Sequence, residues 1–411
     1  MSTHAPAAPK ALTATERRNF VGGLWHGAFL AVGMALTQPT TVIAAFVAEL
    51  TGSTVWVGGL STVLTVAAAL PQLFVARWVE PRPTKMPFLL LAIYLRVASW
   101  ATLAWLVYAV GDSHPEALAW ALVGLLAIFY AGGGLGNIPY TDIIGKVIPS
   151  SRRGTFFGGK EALAGPLSVG AALLARRILA KVEYPDSYAL LFGLAASALA
   201  VASLGFWLIR EPRRADAPGR SQPWRAYWAQ LAAAFRQLKT LVVVQLLTGF
   251  SLMALPFYVV YAREEVGAPP EAVGWFLLAQ VTGGVLGNLL WARLVDRVNS
   301  RTMLTACALT STVAPLLAIG IGSLDWWGLL PTFFLAGASF NGRRVGFQSA
   351  LLELAPATER PTFAALNAVL ILPVAVLPLL AGLLLQDMSY TVLFGLTAGF
   401  VALGAVWTRR L

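Results

Sequence analysis

The sequence is short of the residues from which soluble enzymes are built. Only 12% of its 411 residues are charged, about half the share of an ordinary globular domain. It has one cysteine, Cys307, and three histidines, which excludes an intrachain disulfide and a cysteine-based metal cluster. His4 lies in the amino-terminal tail and His114 in a short polar loop. No HExxH pattern and no run of ligands at metal spacing occurs. With no convergent nucleophile and base, an enzyme is not expected. A GxxxxGK[ST] loop is also missing, which argues against direct nucleotide coupling. Neither a cofactor nor a metal is expected.

What is abundant is apolar. Hydrophobic residues make up 57% of the chain. Runs of about 18 or more recur along nearly all of it, enough to cross a hydrocarbon layer about 30 Å thick. The 38 glycine and 24 proline residues are scattered inside these runs, as membrane helices tolerate. The expected fold is an all-α integral membrane protein of twelve transmembrane helices. They are placed at 19 to 48, 53 to 76, 87 to 111, 117 to 145, 157 to 180, 187 to 209, 238 to 261, 270 to 292, 302 to 322, 327 to 354, 362 to 385 and 389 to 408. The first run is far longer than a signal-peptide core, so a cleaved signal is not expected.

A net charge of +11 invites a nucleic-acid reading. The cations, however, sit in short loops between spans and not on one soluble domain, so nucleic acid is not an expected partner. With the amino terminus in the cytoplasm, most Lys and Arg fall on the inner side, and only Arg176, Arg177, Lys181 and Arg263 fall outside. That bias predicts an even number of spans and two cytoplasmic termini in a cell membrane, the inner membrane of a Gram-negative source. The longest polar stretch, 211–237, is expected to be a cytoplasmic linker with an interfacial helix whose Trp224, Trp228, Leu231 and Phe235 share one face.

The chain repeats itself. VARWVEPRPTKM follows the second span and WARLVDRVNSRT the eighth, a register that also carries Gly58 onto Gly274. PSSRRGTFF follows the fourth span and PATERPTFA the tenth, so Pro149, Arg153, Thr155 and Phe156 recur as Pro356, Arg360, Thr362 and Phe363. Shared apolar composition does not produce matches among polar, Pro and Gly positions. A duplicated bundle follows, residues 1–210 and 238–411 each contributing six helices.

These loops resemble the major facilitator superfamily, over essentially the full chain. The Gly-x-Leu-x-Asp-Arg-x-Gly-Arg-Lys-like loop of that family is matched after the eighth span by Leu294, Asp296, Arg297 and Arg301, with Ala292 and Asn299 in place of the glycines. The first copy is degenerate, with Trp78, Glu80 and Pro81 at the Leu, Asp and Arg positions and Lys85 as the last base. In the fifth span Gly165, Pro166 and Gly170 fit an antiporter-associated motif, while Glu161 and Val169 depart from it. The resemblance implies two six-helix bundles around a central cavity that opens by alternating access, and gating roles for Arg77, Glu80, Lys85, Asp296, Arg297 and Arg301, with Arg153 and Arg360.

Charge at membrane depth marks the candidate site. Arg343 and Arg344 in SFNGRRVGFQS stand near the midplane of the tenth span. Neighbours on a helix point about 100° apart, so one of them faces the cavity or pairs with an acid elsewhere. A guanidinium there suits a carboxylate or phosphate. Asn137, Tyr140, Gln38, Asn341 and Gln280 offer further substrate-binding groups or interhelical bonds. Asp142 and Glu161 are proton-coupling candidates, against a salt bridge for Asp142 and a pairing with Arg153 for Glu161. His26 is either a proton-coupling group or an interfacial residue. Arg96 reads as structural.

The expected function is secondary transport of a small organic solute, with proton-coupled export of an anionic or amphiphilic compound as the working case and a monomer as the unit. A facilitative uniporter, a lipid or amphiphile translocator and a non-transporting receptor are the rivals. An apolar cavity with charge at one end would mark the translocator, and absence of flux in vesicles the receptor.

Overall fold

The structure, a computed structural model, describes residues 12–79, 82–111, 113–213, 238–354 and 372–411, with positions 225, 226, 229 and 232. All regular structure among the described residues is helical. Ten helical segments are long and apolar enough to cross a bilayer. The expected linker and its aromatic face lie almost wholly outside the described residues.

The chain enters α1 (Ala14–Leu36) through a capping box. The Thr13 hydroxyl accepts from the Glu16 amide at 3.2 Å, and the Glu16 carboxylate accepts from the Thr13 amide at 2.8 Å. Two of the orphan donors at the helix start are thereby satisfied. The expected break at Gln38-Pro39-Thr40-Thr41 is a π-helical turn, Pro39–Ile43, before α2 (Ala44–Thr51). Proline cannot donate to the preceding turn, and the Gln38 carbonyl accepts instead from the amides of Thr41, Val42 and Ile43. Gly52, at φ 58°, then stops the helix with a left-handed cap.

Five long helices follow in the first set: α3 (Thr54–Val79), α4 (Met86–Val110), α5 (Pro115–Val147), α6 (Arg153–Lys181) and α7 (Asp186–Leu208). The second set opens with a span broken into α8 (Lys239–Gly249), α9 (Ser251–Ala254) and α10 (Phe257–Glu264). It continues with α11 (Ala272–Arg297), α12 (Ser300–Ile319) and α13 (Leu330–Leu354). Last come α14 (Leu377–Leu384) and α15 (Tyr390–Trp407). α13 is 25 residues long, holds Arg343, Arg344 and Glu353, and is not among those ten segments.

Each set has its own aromatic centre. Trp100 meets Phe129 and Phe192 at 5.4 and 4.9 Å in the first, and Phe276 stacks on Phe333 at 4.3 Å in the second. The helices start and end so that Ala14 and Trp407 share one side, called here the terminal side. The opposite, far side is where the two sets meet. There Glu49 of α2 pairs with Arg263 of α10, and Thr54 donates to the Gly382 carbonyl at 2.9 Å. Gly58 of α3 abuts Pro378 of α14, and Gly274 of α11 abuts Arg176 of α6.

Candidate functional site

The two adjacent arginines of α13 part company. Arg343 is 8% exposed. Its guanidinium donates to the Thr248 hydroxyl at 3.1 Å and to the Gln245 carbonyl at 3.5 Å, and lies 5.5 Å from the Phe347 ring. It therefore ties α13 to α8. Arg344, about 100° further round, is exposed, as are Phe340 one turn before it and Gln348 one turn after. No ion pair to Arg344 is found among the described residues. Of the two, Arg344 thus has the accessible side chain, and Arg343 is turned into the helix packing.

α5 presents the matching face. Asn137 and Thr141 are exposed, and the register that carries Pro149 onto Pro356 carries Asn137 onto Arg344 and Thr141 onto Gln348. Tyr140, which that register carries onto Phe347, is half-buried beside His26 and Phe206, ring centroids 5.9 and 6.3 Å away.

Lys160 of α6 joins this group and was not among the sequence candidates. It lies near the start of the expected fifth span, and α6, which begins at Arg153, places it two turns inside the helix. Its ammonium lies 5.9 Å from the Tyr140 ring centroid, and its stem packs into the space left by Gly27 of α1. Glu161 and Arg344 are both within electrostatic range of it. Glu161 is exposed and is not paired with Arg153. The Arg153 guanidinium instead donates to the Gly145 carbonyl at 2.7 Å, satisfying an end carbonyl of α5.

Two proton-coupling candidates sit in closed arrangements. His26 is buried between α1 and α7, with Nδ1 3.3 Å from the Ala202 carbonyl and its ring 4.0 Å from Phe206. Asp142 is no isolated carboxyl: it lies 3.0 Å from the Lys85 ammonium and 2.6 Å from that of Lys146. Lys146 also reaches Glu211 at 3.0 Å, and Glu211 accepts from the amides of Lys85 and Met86 at 2.7 and 2.9 Å. Two ammoniums around one carboxylate stabilise its charged form, so the salt-bridge alternative describes Asp142.

Arg96 penetrates between α4, α5 and α1. Its guanidinium lies 4.4 Å over the Phe129 ring and 3.6 Å from the Met34 sulfur, beside Gly132 and Gly133. Toward the far side, the buried Gln280 amide donates to Thr40 at 2.7 Å and its carbonyl accepts from Thr41, which joins the two sets directly. Gln38 is half-buried in the π turn. The Asn341 amide packs against Gly284 of α11.

The loop residues are placed unevenly. Lys85 is buried in the Asp142 network. Its repeat counterpart, Arg301, is exposed and donates to the Arg409 carbonyl at 2.5 Å. Asn299, at a glycine position of the family loop, caps α12 by accepting from the Thr302 amide at 2.7 Å. Arg297 is exposed. Arg77 and Asp296 belong to α3 and α11, their side chains outside the description, and Glu80 and Arg360 lie outside the described residues. No cluster of three metal-ligating side chains occurs among the described residues.

The pattern described as Major Facilitator Superfamily matches residues 241–411. Proteins of Mycobacterium tuberculosis and Mycobacterium bovis, each named as uncharacterized, are 26% identical over 334 residues, which take in 78% of this chain and 62% of theirs. The chain thus spans less than two thirds of the length of these curated relatives. Among solved structures, the nucleoside transporter NupG aligns with a TM-score of 0.70 at 12% identity, covering 95% of this chain and 99% of its own. A bacterial homologue of the lysosomal transporter Spinster aligns at 0.68 and 13%, covering 97% of both. A bacterial homologue of the iron transporter ferroportin, inward-facing, aligns at 0.62 and 14%, covering 98% and 99%. At these identities the likeness is one of fold.

Proposed function

We propose that this chain is a membrane transporter of the Major Facilitator Superfamily, a twelve-helix secondary carrier of a small organic anion with an apolar part, a reading supported by the family pattern over residues 241–411 and by the fold of its structural neighbours. The observation that carries the reading is Arg344, an exposed guanidinium at membrane depth with no described acid partner, one turn from the exposed Phe340. An unpaired cation in that setting is costly unless a ligand or water meets it, and its planar fork fits a carboxylate or phosphate. Asn137, Thr141, Tyr140 and Gln348 supply orienting groups around it. Beside the ten long apolar segments, α13 and the shorter apolar helix at Leu372–Leu384 support a reading of twelve spans.

Contacts gathered on the far side support a cavity that opens to the terminal side, and the Lys and Arg bias makes that side cytoplasmic. Of the proton-coupling candidates Glu161 remains the accessible one, and an antiporter driven by protons is the mode this favours. The test is solute flux in proteoliposomes across a panel of organic anions, with Arg344→Ala and Arg343→Ala. Loss of saturable flux by about a hundredfold in Arg344→Ala supports the reading. Flux of a cation or neutral solute, indifferent to Arg344, overturns it.

A further inference from the structure

The charge bias leaves four cations on the far side, and three of them gather at one place. We infer that these three form a headgroup site for an anionic phospholipid, at the seam between α6 and α11 and apart from any solute path. The fourth, Arg263, is spent on Glu49. Arg176, Arg177 and Lys181 belong to the last turns of α6 and, with Ala180, Glu271 and Trp275, line an open cleft of about 490 Å³. Three positive charges meet one negative charge there. No ion pair to any of the three cations occurs among the described residues.

Arg176 is held in readiness. Its guanidinium lies 4.2 Å from the Trp275 ring. Its stem lies flat on α11 because Gly274 has no side chain: a Cβ there would come within 2.8 Å of the Arg176 Cγ. Arg177 points about 100° further round, and Lys181 follows one turn later on the same face. Both are exposed. A planar guanidinium with two neighbouring cations matches the oxygens of one phosphate.

Two observations make that phosphate part of a lipid. The exposed face of α6 continues toward the membrane interior as Leu173 and Leu174, both exposed, about 5 to 10 Å deeper than the cations. This face lies about 160° round the helix from Glu161, so it is turned away from the accessible carboxyl of the same helix. The cleft also adjoins a tryptophan cluster. The Trp275 ring is 5.4 Å from that of Trp327, and Trp326 stacks on Trp327 at 3.9 Å. Indoles settle at headgroup level. A phosphate beside them, with its acyl chain over the two leucines, fits this surface, and because the cleft has walls from both sets the bound headgroup spans the seam.

Native mass spectrometry of the full chain in detergent, titrated with dioleoyl phosphatidylglycerol, tests the site. Wild type should retain the lipid. Arg177→Gln with Lys181→Gln, both at exposed positions, should lower its occupancy about tenfold, and Lys181→Arg should bind as wild type does. Arg409→Gln with Arg410→Gln, an equal loss of exposed charge on the terminal side, should change occupancy less than twofold. Occupancy equal in wild type and the α6 double variant, or lowered equally by the terminal-side pair, overturns the site. Dioleoyl phosphatidylcholine retained as well as phosphatidylglycerol overturns its selection by charge. Glycerol phosphate bound in a way the α6 variant abolishes, with the lipid not retained, makes the ligand a free anion and overturns the lipid assignment. Flux through Arg344 is read separately, so none of these outcomes bears on the carrier reading.

Discussion

Gly58 and Gly274 stand at the same position of the two repeats, and each is where its set of helices presses on the other. A Cβ on Gly58 would run into the Pro378 carbonyl oxygen, and one on Gly274 would lie 2.5 Å from the Arg176 Cα. Both obstacles are backbone, which gives way less readily than a flexible side chain. The repeat has thus kept a glycine on each side of the far-side closure.

Gly58→Ala and Gly274→Ala should therefore obstruct that closure without unfolding either set, since alanine is the better helix former. A shift of about tenfold toward far-side-open molecules is expected, read by thiol accessibility of cysteines placed on α2 and α10. An unchanged accessibility would show that the contact is not part of the conformational balance.

The pair of Glu49 and Arg263 crosses the same boundary. Being partly exposed, it should contribute about 0.5 to 1 kcal/mol to the far-side-closed state. Glu49→Gln should open that side about two- to fivefold, and the swap Glu49→Arg with Arg263→Glu should restore it. Failure of the swap to improve on either single change would remove the ion pair as the cause.

Lys85 and Arg301 occupy equivalent loop positions and should behave differently. Lys85→Met strips a buried ammonium from Asp142 and should lower stability by about 2 kcal/mol, seen as a clear drop in Tm. Arg301→Met, whose partner is one backbone carbonyl at the surface, should stay within about 0.5 kcal/mol. Equal Tm values would contradict this asymmetry.

Gly337 and Gly399 give a packing contrast within the second set. A Cβ on Gly337 would strike the Gln280 carbonyl, whereas nothing lies within 4 Å of one on Gly399. Gly337→Ala should cost about 1 to 3 kcal/mol by forcing α11 and α13 apart. Gly399→Ala should be neutral or gain a few tenths, measured as Tm in detergent.

Much of this was legible in the sequence, because the bilayer imposes long apolar helices and the duplication leaves matching polar marks. The repeat found Gly58 and Gly274 before their contacts were known, and the proline break in the first span fell where the π turn lies. Adjacent arginines at 100° told that one must turn away, but not which. That choice depends on Thr248 and Gln245 in another helix. Lys160 lies near the start of an expected span, and its depth follows from a helix that begins earlier than the apolar run does. Glu49 and Arg263 meet only through folding, and no local pattern links residues so far apart in the chain.

Arg96 bears on how the molecule is made. A lone arginine in the middle of an inserting span costs about 2.5 to 3.5 kcal/mol, and the shelter for this one comes from Met34, synthesised earlier, and from Phe129, Gly132 and Gly133, synthesised later. The third span, α4, leaves the ribosome before the groove that receives its guanidinium exists. Its settled position therefore belongs to assembly with the fourth span, α5, and not to its own entry into the membrane, so biogenesis of the first set proceeds through that pair as a unit.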